Sequence, residues 1–433
     1  MNNWEWIDRL DLSSWLIHFV HGRLLGARPY VDEDENGKLP ERVFLDEKDI
    51  PSYFDEYGKG VFLDTPYVDD DWKLADNATP FDVLKKIVHE GFILSTWAFR
   101  KGNPSIYGPY SAVCFTEMPL YALVDYARKR GANRGYVGSY GIAVRRSEAC
   151  QAGARNVIYG LSNGHKEADN NSLDLVRGFR LLDESCGIGI EEQYRYVYTQ
   201  LNGEKIVDWT FEREWRLPIK DDRWGSLTGL PILLDKELYQ TPFSEVVIIV
   251  NSEYEKEEIL NQLVKMHNSG STESGCQYDL DLIEKTRVMS VEQIENSTNQ
   301  TPIRLESIRV SEKDTLKIPH VTEEIIHEVT DVINSTQEVF DKAYSDFMDN
   351  NLGFEAYSYP ISHVKVCTND NTEYTQAMVE SGLANAYGEN RYYLELPCYF
   401  TGNEYMGKEV MNAVAKYLTQ KIGQQFYVFV IPD

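Results

Sequence analysis

The alternation of apolar and polar positions divides the first part of the chain into short segments of two kinds. SWLIHFVHGRL at 14–24 is an apolar run interrupted by His18, and AVCFT (112–116), YGIAVR (140–145), NVIY (156–159), FEREWRL (211–217) and EVVIIV (245–250) have strand length and composition. Between them, Phe81, Leu84, Ile87 and Val88 fall on one face of a well-punctuated helix: Thr79 caps it, Pro80 suits its first turn, Asp82 takes the third helical position and Gly91 ends it. A second helix is opened by Pro119 and closes near Gly131; a third runs from Glu253 to Met266. Because strands and helices mix without a regular βαβ alternation, the pattern predicts an α+β fold.

KTRVMSVEQI at 285–294 predicts the last strand of a first domain spanning 1–297, and NSTNQTP at 296–302 has the composition of a linker. A second domain, 304–433, opens with a long helix in which Ile325, Val329, Ile333, Val339, Phe340, Ala343 and Phe347 recur at helical spacing. It ends with a helix around Glu404 to Ile422 and a strand at 426–431, a small α/β unit with no nucleophile constellation, phosphate loop or metal pattern. An interaction or regulatory role is the expectation for it, and burial of the long helix against the first domain fits the sequence equally well. Residues 31–76 form an acidic insertion, with VDEDE at 31–35 and Asp69 to Asp71. Its aromatic content, including Tyr53, Phe54, Phe62 and Trp72, predicts a segment that packs rather than a disordered tail.

Composition narrows the function classes. The 433 residues allow about two to four domains. With 43 basic against 69 acidic residues the net charge is −26, which argues against a general polyanion binder or a protein held on an anionic membrane by its average charge. No apolar run approaches the ~20 residues needed to span a bilayer, and the N-terminal residues carry acids where a signal peptide carries bases, so a cytoplasmic protein without a membrane partner is expected. The six cysteines are far apart and the histidines scattered, so no metal site is expected.

Candidate chemistry concentrates in three stretches. If FEREWRL is a strand throughout, Glu212, Glu214 and Arg216 share one face while Phe211, Arg213 and Trp215 share the other. Two carboxylates so placed suit a site that stabilises an oxocarbenium-like sugar cation; an exposed edge strand with Glu–Arg pairs explains the same residues without chemistry. His18 is either a satisfied core histidine or a neutral imidazole donating to a ribose hydroxyl. In SAVCFTEMPL, Cys114 and Thr116 share a strand face and Phe115 the other, either as plain punctuation or as the floor of a ring-binding site.

Taken in order, LIHF, the capped helix ending VHEGFI, CFTEMPL with its following helix, YGIAVRR and FEREWR resemble the abortive-infection (AbiGi-like) proteins and, more distantly, the DarT-like branch of the ADP-ribosyltransferases, over about residues 14–295. The resemblance implies the split two-sheet α+β fold of that superfamily, with NAD in a cleft between the sheets. It implies that Glu214 is the catalytic glutamate that binds the nicotinamide ribose, with Glu212 orienting or deprotonating the acceptor. It further implies that His18, Phe115 and Thr116 line the NAD site, that Arg100 or Lys101 meets the pyrophosphate, and that Trp209 lies in an acceptor-recognition loop. The sequence departs from the DarT-like pattern in having Glu117 where those enzymes carry a basic residue, and in the long 31–76 insertion.

The stretch from Tyr126 to Gly160 holds seven basic residues, Arg145, Arg146 and Arg155 among them, against one acid, Glu148. That predicts Arg145 and Arg146 as contacts for an acceptor, whether RNA, DNA or protein. The expected function is transfer of ADP-ribose from NAD to a macromolecule by a toxin or anti-phage defence effector, restrained by an antitoxin or chaperone partner and needing no metal. The alternative is a catalytically inactive module of the same fold that binds a toxin, chaperone or phage protein.

Overall fold

The computed structural model describes residues 13–21, 78–95, 98–100, 103–108, 110–134, 137–161, 180–201, 206–219, 229–296, 305, 308, 311–356, 360–387 and 391–432. The acidic insertion, Lys101 and all of the 296–302 linker but Asn296 lie outside them. The chain divides into two compact units, residues 1–259 with 276–315 and residues 260–275 with 316–433. The division falls later than the linker composition suggests, because Leu305 and Ile308 join the first unit's core and the Val288 N–H donates to the Asp314 carbonyl.

In the first unit, one seven-stranded sheet runs in the order Arg287–Ser290, Val246–Val250, Val137–Arg145, Trp15–His21, Ala112–Thr116, Glu214–Pro218, Arg155–Asn156. Every neighbouring pair is antiparallel except the first, which is parallel. Three two-stranded ribbons accompany it, among them Ile158–Leu161 beside Tyr196–Thr199. The unit is therefore mixed α+β, built on one dominant sheet.

The two sheet faces are covered by different helices. Trp15, Ile17, Ala143, Val247 and Ile249 meet Leu120, Leu123 and Val124 of the helix Leu120–Arg134. On the other face, Phe81 of the helix Pro80–Glu90 packs on Tyr140 with ring centroids 5.8 Å apart. That helix begins and ends as its sequence predicts. Thr79 and Asp82 form a reciprocal capping box, and Gly91 closes it at φ +72°, where a side chain would be strained. Gly141 answers a different need, since a Cβ there would stand 2.8 Å from Ile17 Cγ2 and force the two central strands apart.

Some predicted elements are shorter or broken. The 285–294 segment is a strand only over Arg287–Ser290 and then turns into the helix Val291–Asn296. NVIY is split between the last strand of the main sheet, Arg155–Asn156, and the ribbon strand Ile158–Leu161. In the second unit the long helix is two, Glu323–Asn334 and Thr336–Asn350. The break falls where Ser335 Oγ donates to the Asp331 carbonyl and Thr336 Oγ1 to the Ile333 carbonyl, hydroxyls competing for backbone acceptors as short polar side chains do.

The second unit carries five antiparallel strands. Ile361–Thr368 is central; Tyr427–Pro432 pairs along one side of it, and Arg391–Leu394 and Phe400–Asn403 along the other, with Ala384–Tyr387 outside Arg391–Leu394. The chain order is strand, helix Glu373–Glu380, a strand pair, a further strand, helix Glu404–Ile422 and a last strand. The outer, central and paired strands thus follow the split-βαβ arrangement of ferredoxin-like folds. Val364, Val366, Tyr392, Leu394 and Phe400 point into a core made with both helices.

Candidate functional site

The strand holding the predicted glutamates starts three residues later than the pattern suggests, at Glu214 rather than Phe211. Thr210–Glu212 is a 3-10 turn, Arg213 takes a left-handed conformation at φ +47°, and only Glu214–Pro218 is extended. Glu212 therefore does not alternate with Glu214 along a strand. It is held by the turn: the Tyr126 hydroxyl donates to Glu212 Oε1 at 2.8 Å, and Thr116 Oγ1 donates to the Glu212 carbonyl at 2.5 Å. Thr116 Oγ1 also accepts from the Met118 N–H at 3.0 Å, so its single donor is committed to tying the turn to the neighbouring strand.

Glu214 faces Thr116, and Arg216 faces Cys114, across an antiparallel pair. Opposed residues of such a pair share a face. The Glu214 carboxylate accepts from Arg216 Nε at 2.7 Å and Nη2 at 3.2 Å, and Arg216 Nη1 donates to the Tyr194 carbonyl at 2.6 Å. Arg216 is buried, and the adjacent Glu214 carboxylate raises its pKa against the lowering effect of burial. Burial, with Glu214 next to it and Glu212 further off, pushes the Cys114 thiol far above its ordinary range. The Tyr159 hydroxyl accepts from the Glu214 N–H at 3.1 Å, and its own pKa is raised by burial and then by Glu214 and Glu212. The two glutamates thus share one electrostatic neighbourhood although they do not share a strand.

His18 and Phe115 stand elsewhere. Ile17 pairs with Thr116, so Ile17, Thr116 and Glu214 lie on one face of the sheet and the next residues, His18 and Phe115, on the other. The His18 and Phe115 rings meet edge-on at 6.2 Å. His18 Nδ1 is 2.9 Å from the Cys114 carbonyl, which can only accept, so the proton sits on Nδ1 and Nε2 of the neutral ring is an acceptor rather than a donor. Burial lowers its pKa, with the Cys114 carbonyl opposing that shift. The structure therefore brings Glu214, Glu212 and Thr116 together and does not bring His18 and Phe115 to them.

Of the basic strip, the described side chains Lys129, Arg145, Arg146 and Arg155 are engaged within the chain. Arg145 Nη2 is 2.7 Å from Glu245 and its guanidinium lies 4.1 Å over the Trp15 ring. Arg146 is bonded to Glu117, which also accepts from Trp215 Nε1 at 2.9 Å. Arg155 donates to the Cys150 and Ala154 carbonyls, and Lys129 pairs with Asp125. Counting charges along the sequence missed this because Glu245 and Glu117 come from distant segments. Arg100 belongs to a two-residue strand, Phe99–Arg100, paired with Asn103–Pro104. Trp209 precedes the 3-10 turn and its ring is 6.4 Å from that of Phe211, which in turn lies 5.6 Å from Tyr126.

Tyr126 and Tyr159 are site residues that sequence reasoning did not find, since each is brought in by tertiary pairing; Cys114 and Glu117 stand in the stretch the sequence singled out, but their partners there come from distant segments. Among the described residues no group of His, Cys, Asp and Glu is arranged to hold a metal, and no helix is long and apolar enough to cross a membrane. Comparisons of the chain with protein families, with curated proteins and with solved structures found no match.

Proposed function

We propose that the first unit is an NAD-dependent ADP-ribosyltransferase acting on a macromolecule as a toxin or defence effector. The observation that carries this reading is that Thr116, directly opposite Glu214 in the strand pair, donates to the Glu212 carbonyl, which brings the two glutamates together at one end of the dominant sheet. A carboxylate has about four acceptor positions, and Arg216 fills two on Glu214, so capacity remains for a ribose hydroxyl. In this reading Glu214 opposes the positive charge that develops on the ribose as nicotinamide leaves, with Arg216 fixing its orientation. Glu212, on its turn, takes the proton of the attacking acceptor group. Tyr126 positions Glu212, and the exposed Phe211 with Trp209 faces the acceptor. His18 acts through the strand, holding the Cys114 carbonyl rather than touching ribose.

A second reading has its own support. The Glu214 charge is already balanced by Arg216, and Arg145 and Arg146 are already paired, as expected of a catalytically inactive module of the same fold that binds a toxin, chaperone or phage protein. Incubation with labelled NAD and host lysate separates the two. Label on RNA, DNA or protein, lost in Glu214→Gln, supports the transferase. Absence of label together with a stoichiometric co-purifying protein supports the binding module.

A further inference from the structure

In the second unit, the sheet has one face packed on helices and one that is not. Register places His363, Lys365 and Cys367 of the central strand, Tyr427, Phe429 and Ile431 of the last strand, and Arg391 and Tyr393 of the paired strand on the same side. None of these belongs to the core formed with the helices, whose sheet residues are their neighbours Val364, Val366, Tyr392, Val428 and Val430. In the whole chain His363 is exposed, the Lys365 side chain is 41% exposed with its ammonium 3.8 Å from Glu395, Arg391, Phe429 and Tyr427 are half-buried, and Tyr393 and Cys367 are buried beneath them.

The chemistry of this face is specific. Tyr393 and Phe429 meet edge to face with centroids 5.9 Å apart. The Arg391 guanidinium lies 4.0 Å over the Phe429 ring, and the Lys365 ammonium 5.7 Å from the Tyr393 centroid. Arg391 and Lys365 both lower the Cys367 thiol pKa, although burial dominates and raises it to about 12. His363 and Thr401, bonded at 2.8 Å, put two small polar groups at the end of the same face. An aliphatic partner would call for an aliphatic patch. Here aromatic rings lie under long, single-stemmed cations, in a protein whose overall charge is −26.

We infer that this face binds single-stranded RNA. Unpaired bases stack on aromatic rings, and cations beside the rings meet the phosphates between them. Lys365 and Arg391 can swing from ring to phosphate, uncovering Tyr393 and Phe429 as stacking platforms, while His363 and Thr401 offer donors and acceptors for 2′-hydroxyls, which distinguish RNA from DNA. The acidic remainder of the chain repels other polyanions, so binding is confined to this strip. The inference does not depend on NAD chemistry in the first unit.

Fluorescence anisotropy of the full chain with a labelled oligouridylate, at rising salt, tests it. The wild type is expected to bind, with affinity falling as salt rises by about 0.7 log units per log unit of salt for each phosphate contacted. Lys365→Ala/Arg391→Ala is expected to weaken binding at least tenfold and flatten that slope by about one contact's worth or more. Phe429→Leu, which keeps an apolar side chain at that position, is expected to weaken binding without flattening the slope. Failure of the wild type to bind, or unchanged affinity and slope in the double variant with its circular dichroism intact, overturns the proposal. So does equal binding of duplex RNA or of the matching single-stranded DNA.

Discussion

Arg216 clasps Glu214 from two positions further along the same strand, with Nε and Nη2 on its two carboxylate oxygens at 2.7 and 3.2 Å. Arg216 is fixed from behind by the Tyr194 and Tyr196 carbonyls. Both side chains are largely buried, 5% and 14% exposed, so removing one leaves the other charge without compensation. Arg216→Met is expected to cost about 3–5 kcal/mol in urea unfolding. Glu214→Gln keeps one acceptor for the guanidinium but also leaves it buried without its counter-charge, so it should cost about 3–5 kcal/mol as well while abolishing NAD turnover. Turnover that survives in folded Glu214→Gln protein would remove Glu214 from the chemistry.

Glu212 offers a separate test because it sits on a turn rather than a strand. Glu212→Gln retains an oxygen for the Tyr126 hydroxyl, so the melting temperature should stay close to that of the wild type. Transfer to the acceptor should fall by about 10²-fold or more through loss of a general base. Hydrolysis of NAD to free ADP-ribose should fall less, because water needs less orienting than a bulky acceptor. Equal loss of both activities would move Glu212 from acceptor activation to the ribose.

The turn itself explains how far the site was legible in the sequence. Alternation in FEREWRL correctly gives Glu214 and Arg216 a common face, and the Thr79, Pro80 and Gly91 signals give the helix Pro80–Glu90 its bounds. What the pattern misses is Arg213 in the left-handed region, which no alternation rule foresees for an arginine. It removes Glu212 from the strand and hands it to Tyr126. The pairing of Arg145 with Glu245, and the opposite faces of His18 and Glu214, depend on register between segments distant in sequence. Local periodicity carries no such information. Arg213→Gly should leave stability within about 1 kcal/mol of the wild type, since relief of strain offsets added unfolded-state entropy. Arg213→Val should cost about 1–3 kcal/mol and depress transfer, because a branched Cβ resists this backbone. Identical unfolding curves for the two would show that the turn carries no strain.

His18 supplies a pH dependence whose sign is fixed by its surroundings. Burial holds its folded pKa below the ordinary 6.5, so below about that pH the unfolded chain takes up a proton that the folded chain refuses. The stability contributed by keeping His18 neutral is complete above pH 6.5 and is lost as pH falls from there toward the folded pKa. His18→Gln keeps a donor for the Cys114 carbonyl and cannot titrate. Its stability should therefore decline less than that of the wild type over this window, as read by denaturant midpoints at stepped pH. Parallel declines would assign the acid sensitivity to other groups.

Lys256 and Asp314 form a buried pair in the first unit, 4% and 1% exposed, at a point where the linker composition had suggested that unit was already complete. Asp314 also accepts from the Ser311 N–H and from Gln293 Nε2 at 3.0 Å, and its carbonyl takes the Val288 N–H at 2.7 Å. One residue thus pins the 311–315 segment to the sheet strand Arg287–Ser290. Its pKa is held below the ordinary value by Lys256 and these donors against the raising effect of burial. The stability it contributes is therefore present above the unfolded-state pKa near 3.8 and is lost as pH falls through the lower folded value. Asp314→Asn keeps the shape but leaves Lys256 charged and buried, and should cost about 3–5 kcal/mol at neutral pH. Lys256→Met should cost a similar amount by stranding the carboxylate. Lys256→Met/Asp314→Asn removes both charges, so its loss should be well short of the sum of the two single losses, by about 1–3 kcal/mol. A strictly additive cycle in chemical denaturation would show that the two charges do not compensate one another, and that Asp314 holds the segment through its backbone and Ser311 contacts alone.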